Sequence, residues 1–158
     1  MKLNRLDWAY IAGFLDGDGS IYVRLKPNST YRFKFQIAPY VVFYQSSKQK
    51  EFLYDLKNLL KFGYVRERND GVSEYIVGDM CSIKLLLLNV LPYLRLKKEQ
   101  AELMLRILSV KENVKSAKGF LLLAEMIDQF RTMNYSKKRQ CDSGLVKKVL
   151  RDQGLLTP

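Results

Sequence analysis

The chain has 158 residues, 47% of them hydrophobic, and its 27 lysine and arginine residues outnumber 16 aspartate and glutamate residues, which gives a formal net charge of +11. It contains no histidine, which excludes a Ser-His triad, a histidine-ligated zinc and a histidine general base. We therefore expect one globular domain over residues 1–158 with a polyanionic partner. No charged amino-terminal region leads into an apolar segment with a small-residue cleavage site, so we do not expect secretion. No apolar run reaches membrane-spanning length, so we do not expect a membrane partner.

The first predicted element is a helix that ends in the segment Ile11-Ala12-Gly13-Phe14-Leu15-Asp16-Gly17-Asp18-Gly19-Ser20. Asp7 is expected to cap its amino end, and Gly17 with Gly19 is expected to stop it. Small residues share one face of this helix and would allow a second helix to approach closely. They are Ala9, Ala12, Gly13 and Gly17.

Asp18 follows at the negative end of the helix dipole, where a lone carboxylate is unfavourable. A divalent cation would reverse that penalty, because it binds both carboxylates and the carbonyls exposed at a helix end. The segment therefore predicts a helix that delivers a metal ligand. The alternative is an ordinary helix that ends in an Asp-Gly turn.

From Ser20 onward the apolar residues alternate, which predicts a long hairpin. Its first strand directs Ile21, Val23 and Leu25 to one face and Tyr22, Arg24 and Lys26 to the other. After a turn at Pro27-Asn28, the apolar face continues at Tyr31, Phe33, Phe35, Ile37, Val41 and Phe43. A second hairpin is predicted from residues 63–68 and 72–77 around the turn Asn69-Asp70-Gly71.

The polar face of these four strands is the predicted DNA-binding surface. Arg24, Gln36, Arg66 and Arg68 can make paired hydrogen bonds to base edges, while Lys26, Arg32 and Lys34 suit phosphates. The full set of expected DNA contacts on the hairpins is Tyr22, Arg24, Lys26, Asn28, Thr30, Tyr31, Arg32, Lys34, Gln36, Ala38, Tyr40, Val42, Arg66, Arg68, Glu74 and Ile76. A solvated sheet face is one alternative. An RNA-binding face that stacks bases on Tyr22, Tyr40 and Tyr44 is another.

Helical periodicity accounts for most of the remaining chain. We expect helices over residues 48–62, 82–91, around 103–108, 120–133 and 142–153. The basic stretch before the last helix, with Ser136, Lys137 and Arg139, is either a further phosphate contact or a solvated segment. Cys81 and Cys141 lack metal-ligand spacing, so both are expected to be reduced and structural.

The segment from Ile11 to Ser20 resembles the signature of the LAGLIDADG homing endonucleases. Ala12, Gly13, Asp16, Asp18 and Gly19 match that signature, while Ile11, Phe14, Leu15 and Gly17 vary it. The order of helix, two strands, helix, two strands and further helices is similar to the family's α+β fold, an αββαββα core with a four-stranded antiparallel sheet. The resemblance extends over nearly the whole chain, and in particular to the single-motif homodimers encoded in organellar group I introns.

The resemblance implies a role for specific residues. Asp18, with the carbonyl of Gly17, would bind a divalent metal beside the scissile phosphate, with Mg²⁺ as the cofactor and Ca²⁺ or Mn²⁺ as substitutes. Gln45 and Lys97 would complete each active site, the glutamine by orienting water and the lysine by offsetting phosphate charge. The implied dimer interface contains Ala9, Ala12, Gly13 and Asp16. As departures, Gln49 stands where relatives often have a basic residue, and Tyr135 replaces an acidic residue.

A single motif per chain implies a homodimer that binds a long pseudopalindromic DNA site and makes one cut in each strand. The family implies short 3′ overhangs, a role in intron mobility, an organellar location and no small-molecule substrate. Two other functions stay open: an RNA-binding intron maturase, and a non-catalytic DNA-binding module that has kept the fold.

Overall fold

The computed structural model describes residues 3–134 and 141–156, and within them the chain forms an α+β fold, as the sequence predicts. The helices are α1 (Arg5–Asp18), α2 (Glu51–Leu60), α3 (Met80–Val90), α4 (Lys98–Asn113), α5 (Ala117–Asp128), α6 (Phe130–Met133) and α7 (Ser143–Asp152). The strands are β1 (Gly19–Pro27), β2 (Phe35–Ser46), β3 (Tyr64–Glu67) and β4 (Val72–Val77). They form one four-stranded sheet in the order β1-β2-β4-β3.

Strand β4 is a central strand of this sheet. It pairs antiparallel with both β2 and β3. Gln45 of β2 lies opposite Ser73, and Arg66 of β3 lies opposite Glu74. Since directly opposed residues lie on the same face of an antiparallel pair, these registers decide which polar side chains meet.

The chain divides into two compact units, one formed by the chain up to Tyr22 with Pro39–Glu102, and the other by Val23–Ala38 with the chain from Leu103 onward. In the first unit, α1 packs against α3. Its fully buried side chains include Ile11, Leu15, Phe43, Tyr75 and Leu86.

In the second unit, α5 packs against α7. Its core includes Phe35, Leu123, Ile127, Phe130 and Leu150. The prediction of a single domain stays a prediction.

Helix α1 begins one turn earlier than Asp7 would set it. Asn4 is the N-cap, and its side-chain oxygen accepts hydrogen bonds from the backbone N–H groups of Leu6 and Asp7. Asp7 in turn accepts from the N–H of Asn4 at 2.8 Å, which completes a capping box. At the other end the helix continues through Gly17 to Asp18, and the chain turns extended at Gly19. Of the two glycines predicted to stop the helix, Gly19 therefore does so as its C-cap, whereas Gly17 lies within the helix.

The predicted second strand begins four residues later than its alternation suggests. Residues 31–34 form a turn, because the Asn28 side chain accepts hydrogen bonds from the N–H and hydroxyl groups of Thr30. Lys34 has a left-handed backbone (φ 66°), and its N–H donates to the carbonyl of Tyr31. These local bonds compete with the strand ladder.

The helices follow the predicted positions with two corrections. Helix α2 covers Glu51–Leu60 and is followed by a left-handed Lys61, where the sequence predicted a helix over residues 48–62. The predicted helix over residues 120–133 is divided at Gln129 into α5 and α6. Cys81 and Cys141 are free, but Cys81 is exposed and so has no structural role in the core. Among the described helices, none is both long and apolar enough to cross a membrane.

Gly19 is expected to be essential for stability because β1 starts against the last turn of α1. A Cβ atom at this position would lie 2.7 Å from the Leu15 carbonyl oxygen and 2.9 Å from its Cα, and neither backbone atom can move independently. Gly19→Ala should lower the free energy of unfolding in urea by about 1–3 kcal/mol. Ser20→Ala at the next position is the control and should change it by less than about 0.5 kcal/mol. An equal effect of the two variants would contradict the steric argument.

Candidate active site and nucleic-acid surface

Asp18 is the last residue of α1, and its side chain is exposed. Within the described residues it makes no hydrogen bond, and a carboxylate beside the terminal carbonyls of a helix offers the hard oxygen ligands that Mg²⁺ and Ca²⁺ prefer. Among the described residues, no three acidic or cysteine side chains lie close enough together to hold a metal ion by themselves. The donor set therefore fits a hard divalent ion, provided that further oxygens come from outside the chain.

Lys97 is held against the same end of α1. Its Nζ donates a hydrogen bond to the main-chain carbonyl of Asp16, one of the carbonyls that have no partner within a helix. Burial lowers the pKa of Lys97, while the carboxylates of Asp16 and Asp18 oppose this shift. The structure thus brings the predicted catalytic lysine within electrostatic range of the predicted metal ligand.

Gln45 stands near the end of β2 and is half-buried. Its Oε1 accepts a hydrogen bond from the N–H of Ser46 at 2.9 Å. Beside it, the hydroxyls of Ser47 and the fully buried Ser73 are 2.9 Å apart. In the part of the chain that the structure describes, no hydrogen bond joins Gln45 to Asp18 or Lys97.

The two lysines that flank Gln49 have different surroundings. The Nζ of Lys50 lies 2.9 Å from Glu67, which also accepts a hydrogen bond from the Tyr54 hydroxyl at 3.2 Å. The hydrogen bond to Glu67 raises the pKa of Lys50. The hydrogen bonds from Lys50 and Tyr54 lower the pKa of Glu67. The side chain of Lys48 is exposed. Lys50 therefore forms an ion pair with Glu67 of β3, and Lys48 is the better placed of the two to bind a phosphate.

The first unit carries an arginine cluster built on Glu74. This carboxylate is only 4% exposed, and it accepts hydrogen bonds from Nε of Arg66 at 2.7 Å and from a terminal nitrogen of Arg68 at 3.2 Å. Arg68 also contacts Asp70. Glu74, which the sequence places among the DNA contacts, thus orients two arginines whose own side chains are 58% and 43% exposed.

Burial removes two predicted DNA contacts from this unit. Val42 is 1% exposed and Ile76 is 4% exposed, and the two are directly paired across β2 and β4. Because both residues are buried, neither side chain offers surface to DNA. On the same unit, the rings of Tyr22 and Tyr40 contact each other with centroids 5.4 Å apart.

The second unit carries the other predicted contacts. Arg24, Thr30, Tyr31 and Arg32 are exposed, and Lys26, Asn28, Lys34 and Gln36 are half-buried. Ala38 is only 6% exposed, which corrects its assignment to the DNA-binding surface. The guanidinium of Arg32 lies 5.2 Å from the ring centre of Phe33. Ser136, Lys137 and Arg139, as well as Tyr135, lie outside the described residues.

The exposed stripe of α1 differs from the predicted dimer interface. Ala12 is fully buried and therefore not available to a partner. The Asp16 carboxylate binds the N–H groups of residues 95–97, and its place in the interface stays a prediction. Ala9 is half-buried. The exposed positions are Leu6, Tyr10, Gly13 and Gly17, and a Cβ atom on either glycine would meet nothing within 4 Å. Leu6 and Tyr10 are not among the predicted interface residues, although they lie at helical spacing from Gly13; the interface itself stays a prediction.

Removing the charge of Glu74 should release both arginines. Glu74→Gln keeps the side-chain size but replaces charge-assisted hydrogen bonds with weaker ones, and because the arginines are half exposed, water compensates for part of the loss. We expect a decrease of about 1 kcal/mol in the free energy of unfolding, measured in urea, and lower discrimination between DNA sites. Glu67→Gln, at an exposed ion pair, should cost less than about 0.5 kcal/mol. Equal costs would show that burial of Glu74 is unimportant.

Comparison with known proteins places this arrangement among DNA endonucleases. Residues 11–101 match the family model described as LAGLIDADG endonuclease. The chain is 37% identical over 150 residues to the DNA endonuclease I-CreI of Chlamydomonas reinhardtii, with 94% of this chain and 91% of that protein covered. It is 33% identical over 151 residues to the DNA endonuclease I-CvuI of Chlorella vulgaris, covering 96% and 94%. A crystal structure of I-CvuI with its target and Ca superimposes with a TM-score of 0.91 over 97% of this chain and 98% of that chain.

Proposed function

The chain belongs to the LAGLIDADG endonuclease family, and from this premise we propose that it is a site-specific homing endonuclease that hydrolyses both strands of a duplex DNA target in the presence of a divalent metal. The observation that carries the proposal is the placement of Lys97 beside the carboxylate-bearing end of α1. A hard metal ion and a cation near the phosphate both stabilise the charge that develops during phosphodiester hydrolysis.

The residues of the site divide the chemistry among them. Asp18 and the carbonyl of Gly17 would hold Mg²⁺, which when bound polarises a phosphoryl oxygen and lowers the pKa of the attacking water. The Gln45 amide can turn from Ser46 toward that water and orient it, since among the described residues its side chain bonds just the adjacent backbone N–H. The Lys97 ammonium offsets the charge that builds on the phosphate.

Two copies of the chain are needed for a complete enzyme in this proposal. Leu6 is 80% exposed and Tyr10 is 60% exposed, and with the open positions of Gly13 and Gly17 they form a stripe on which the same helix of a second copy can pack at short range. The second Asp18 would then supply one of the oxygens that a single chain lacks. Two-fold symmetry implies a pseudopalindromic site and one cut per strand.

DNA would be bound by the two groups of basic residues described above. The Glu74-oriented arginines of the first unit present their donors in a fixed geometry, which suits base edges. The exposed Arg24 and Arg32 of the second unit suit bases and phosphates respectively. The related endonucleases of two green algae support an organellar group I intron as the source of the gene, with intron mobility as the biological result.

The test is cleavage of a plasmid library that carries partly randomised two-fold-symmetric sites. With Mg²⁺ we expect linear plasmids with short 3′ overhangs from a subset of sites, and with EDTA none. Binding to RNA without cutting of any duplex would favour the maturase, and tight binding of duplex sites without cutting would favour the non-catalytic module. Either outcome would reject the endonuclease proposal.

A further inference from the structure

The Asp16 side chain forms hydrogen bonds with residues that are far from it in the sequence. Its Oδ2 accepts hydrogen bonds from the backbone N–H groups of Arg95 at 2.7 Å and Leu96 at 3.2 Å, and its Oδ1 accepts from that of Lys97 at 2.9 Å. One carboxylate thus binds three consecutive N–H groups about 80 residues away. Charge-assisted hydrogen bonds of this kind are the stronger ones in proteins.

The segment that Asp16 binds has no regular structure of its own. Residues 95–97 lie between the short 3-10 turn at Leu91–Tyr93 and the start of α4 at Lys98. Their N–H groups therefore lack the ladder that a helix or strand would provide and need another acceptor. The Asp16 carboxylate is the acceptor for all three.

A second hydrogen bond joins Asp16 and Lys97, this time from the lysine side chain to the aspartate backbone. While the Asp16 side chain holds the backbone of Lys97, the Lys97 side chain donates to the backbone carbonyl of Asp16. This reciprocal pair, which we call the Asp16–Lys97 clamp, fixes both ends of the lysine relative to the last turn of α1. Asp18, two residues farther along, belongs to that same turn.

We propose that Asp16 is a positioning residue for catalysis: its carboxylate holds residues 95–97 so that the Lys97 ammonium stays beside Asp18. Because Lys97 acts only if the chain cuts DNA, this rests on the proposed endonuclease function. Asp16 itself would touch neither the metal nor the phosphate. Its effect passes through the backbone of Lys97, and a displacement of about 1 Å in a catalytic group is enough to cost about 10²-fold in rate.

The main variant is Asp16→Asn, which has nearly the same shape but turns an NH₂ group toward one of the three backbone donors. We expect single-turnover cleavage in Mg²⁺ to fall by about 10- to 10²-fold, with the affinity for the same DNA in Ca²⁺ unchanged. Hydrogen exchange should become about tenfold faster or more at the amides of Arg95, Leu96 and Lys97. Asp16→Glu keeps the carboxylate and should cut faster than Asp16→Asn.

The matched control is Asp79→Asn. Asp79 also binds a backbone N–H, that of Ser82 at 2.8 Å, but it caps α3 and has no bond to Lys97. Its variant should cut at the wild-type rate even if it melts at a lower temperature, which separates positioning from stability.

The outcomes divide cleanly. If Asp16→Asn cuts as fast as Asp16→Glu or the wild type, or if it loses DNA affinity in Ca²⁺ along with cleavage, Asp16 has no positioning role. If the wild type cuts no DNA, the endonuclease proposal fails instead, and faster exchange at residues 95–97 in Asp16→Asn would still show that the clamp exists. Unchanged exchange at those amides would reject the clamp itself.

Discussion

Replacing Asp18 with asparagine is expected to abolish cleavage while leaving DNA binding intact. In the proposed site Asp18 is the acidic ligand that each chain contributes, and the amide would remove it. A bound metal would supply several kcal/mol of stabilisation to the transition state. This corresponds to a loss of about 10³-fold or more in the single-turnover rate. The measurement is cleavage of the selected DNA site in Mg²⁺, with affinity for the uncut site measured in parallel.

Asp55→Asn is the matched control for this loss of charge, since Asp55 is exposed on α2. It should cut at the wild-type rate.

The Asp18→Asn variant should bind uncut DNA at least as tightly as the wild type when no divalent metal is present, because the loss of the carboxylate removes one repulsion with phosphate. Cleavage by Asp18→Asn at the wild-type rate would reject the assignment of Asp18 as the metal ligand.

Gly13→Glu is expected to convert the dimer into monomers. A Cβ atom at Gly13 meets nothing within its own chain, and glutamate is a better helix former than glycine, so the folded monomer should not lose stability. Between two copies of α1, however, the added side chains and their like charges would prevent close approach. Light scattering should report the monomer mass, and affinity for the full-length site should fall by about 10²- to 10⁴-fold because the two halves no longer bind together.

The control for this variant is Asn58→Glu, which adds the same charge at an exposed position of α2. It should remain a dimer with nearly wild-type affinity. A Gly13→Glu protein that still dimerises, or a wild-type protein that binds the full-length duplex as a monomer, would exclude the two-fold arrangement through α1.

Local sequence patterns were sufficient for much of the fold. The alternation at Ile21, Val23 and Leu25 identified the buried face of β1, and all three are less than 10% exposed. Pattern was insufficient where local hydrogen bonds compete with it, as at residues 31–34, where Asn28 and Thr30 wind the chain into a turn. It also failed on the polar face, since alternation placed Val42 and Ile76 beside arginines but could not show that both are buried.

The roles of Asp18 and Lys97 were predicted with the help of the family resemblance and stay predictions. The family and the α+β fold could be inferred from the order of residues along the chain, because a signature and its periodicity are local properties. The role of Asp16 could not. Within its helix, Asp16 belongs to a motif that suggests an interface, and nothing near it in sequence indicates a partner at Arg95 to Lys97. Only folding brings these segments together, because the hydrogen bonds join groups about 80 residues apart, and such pairings depend on the packing of the elements between them.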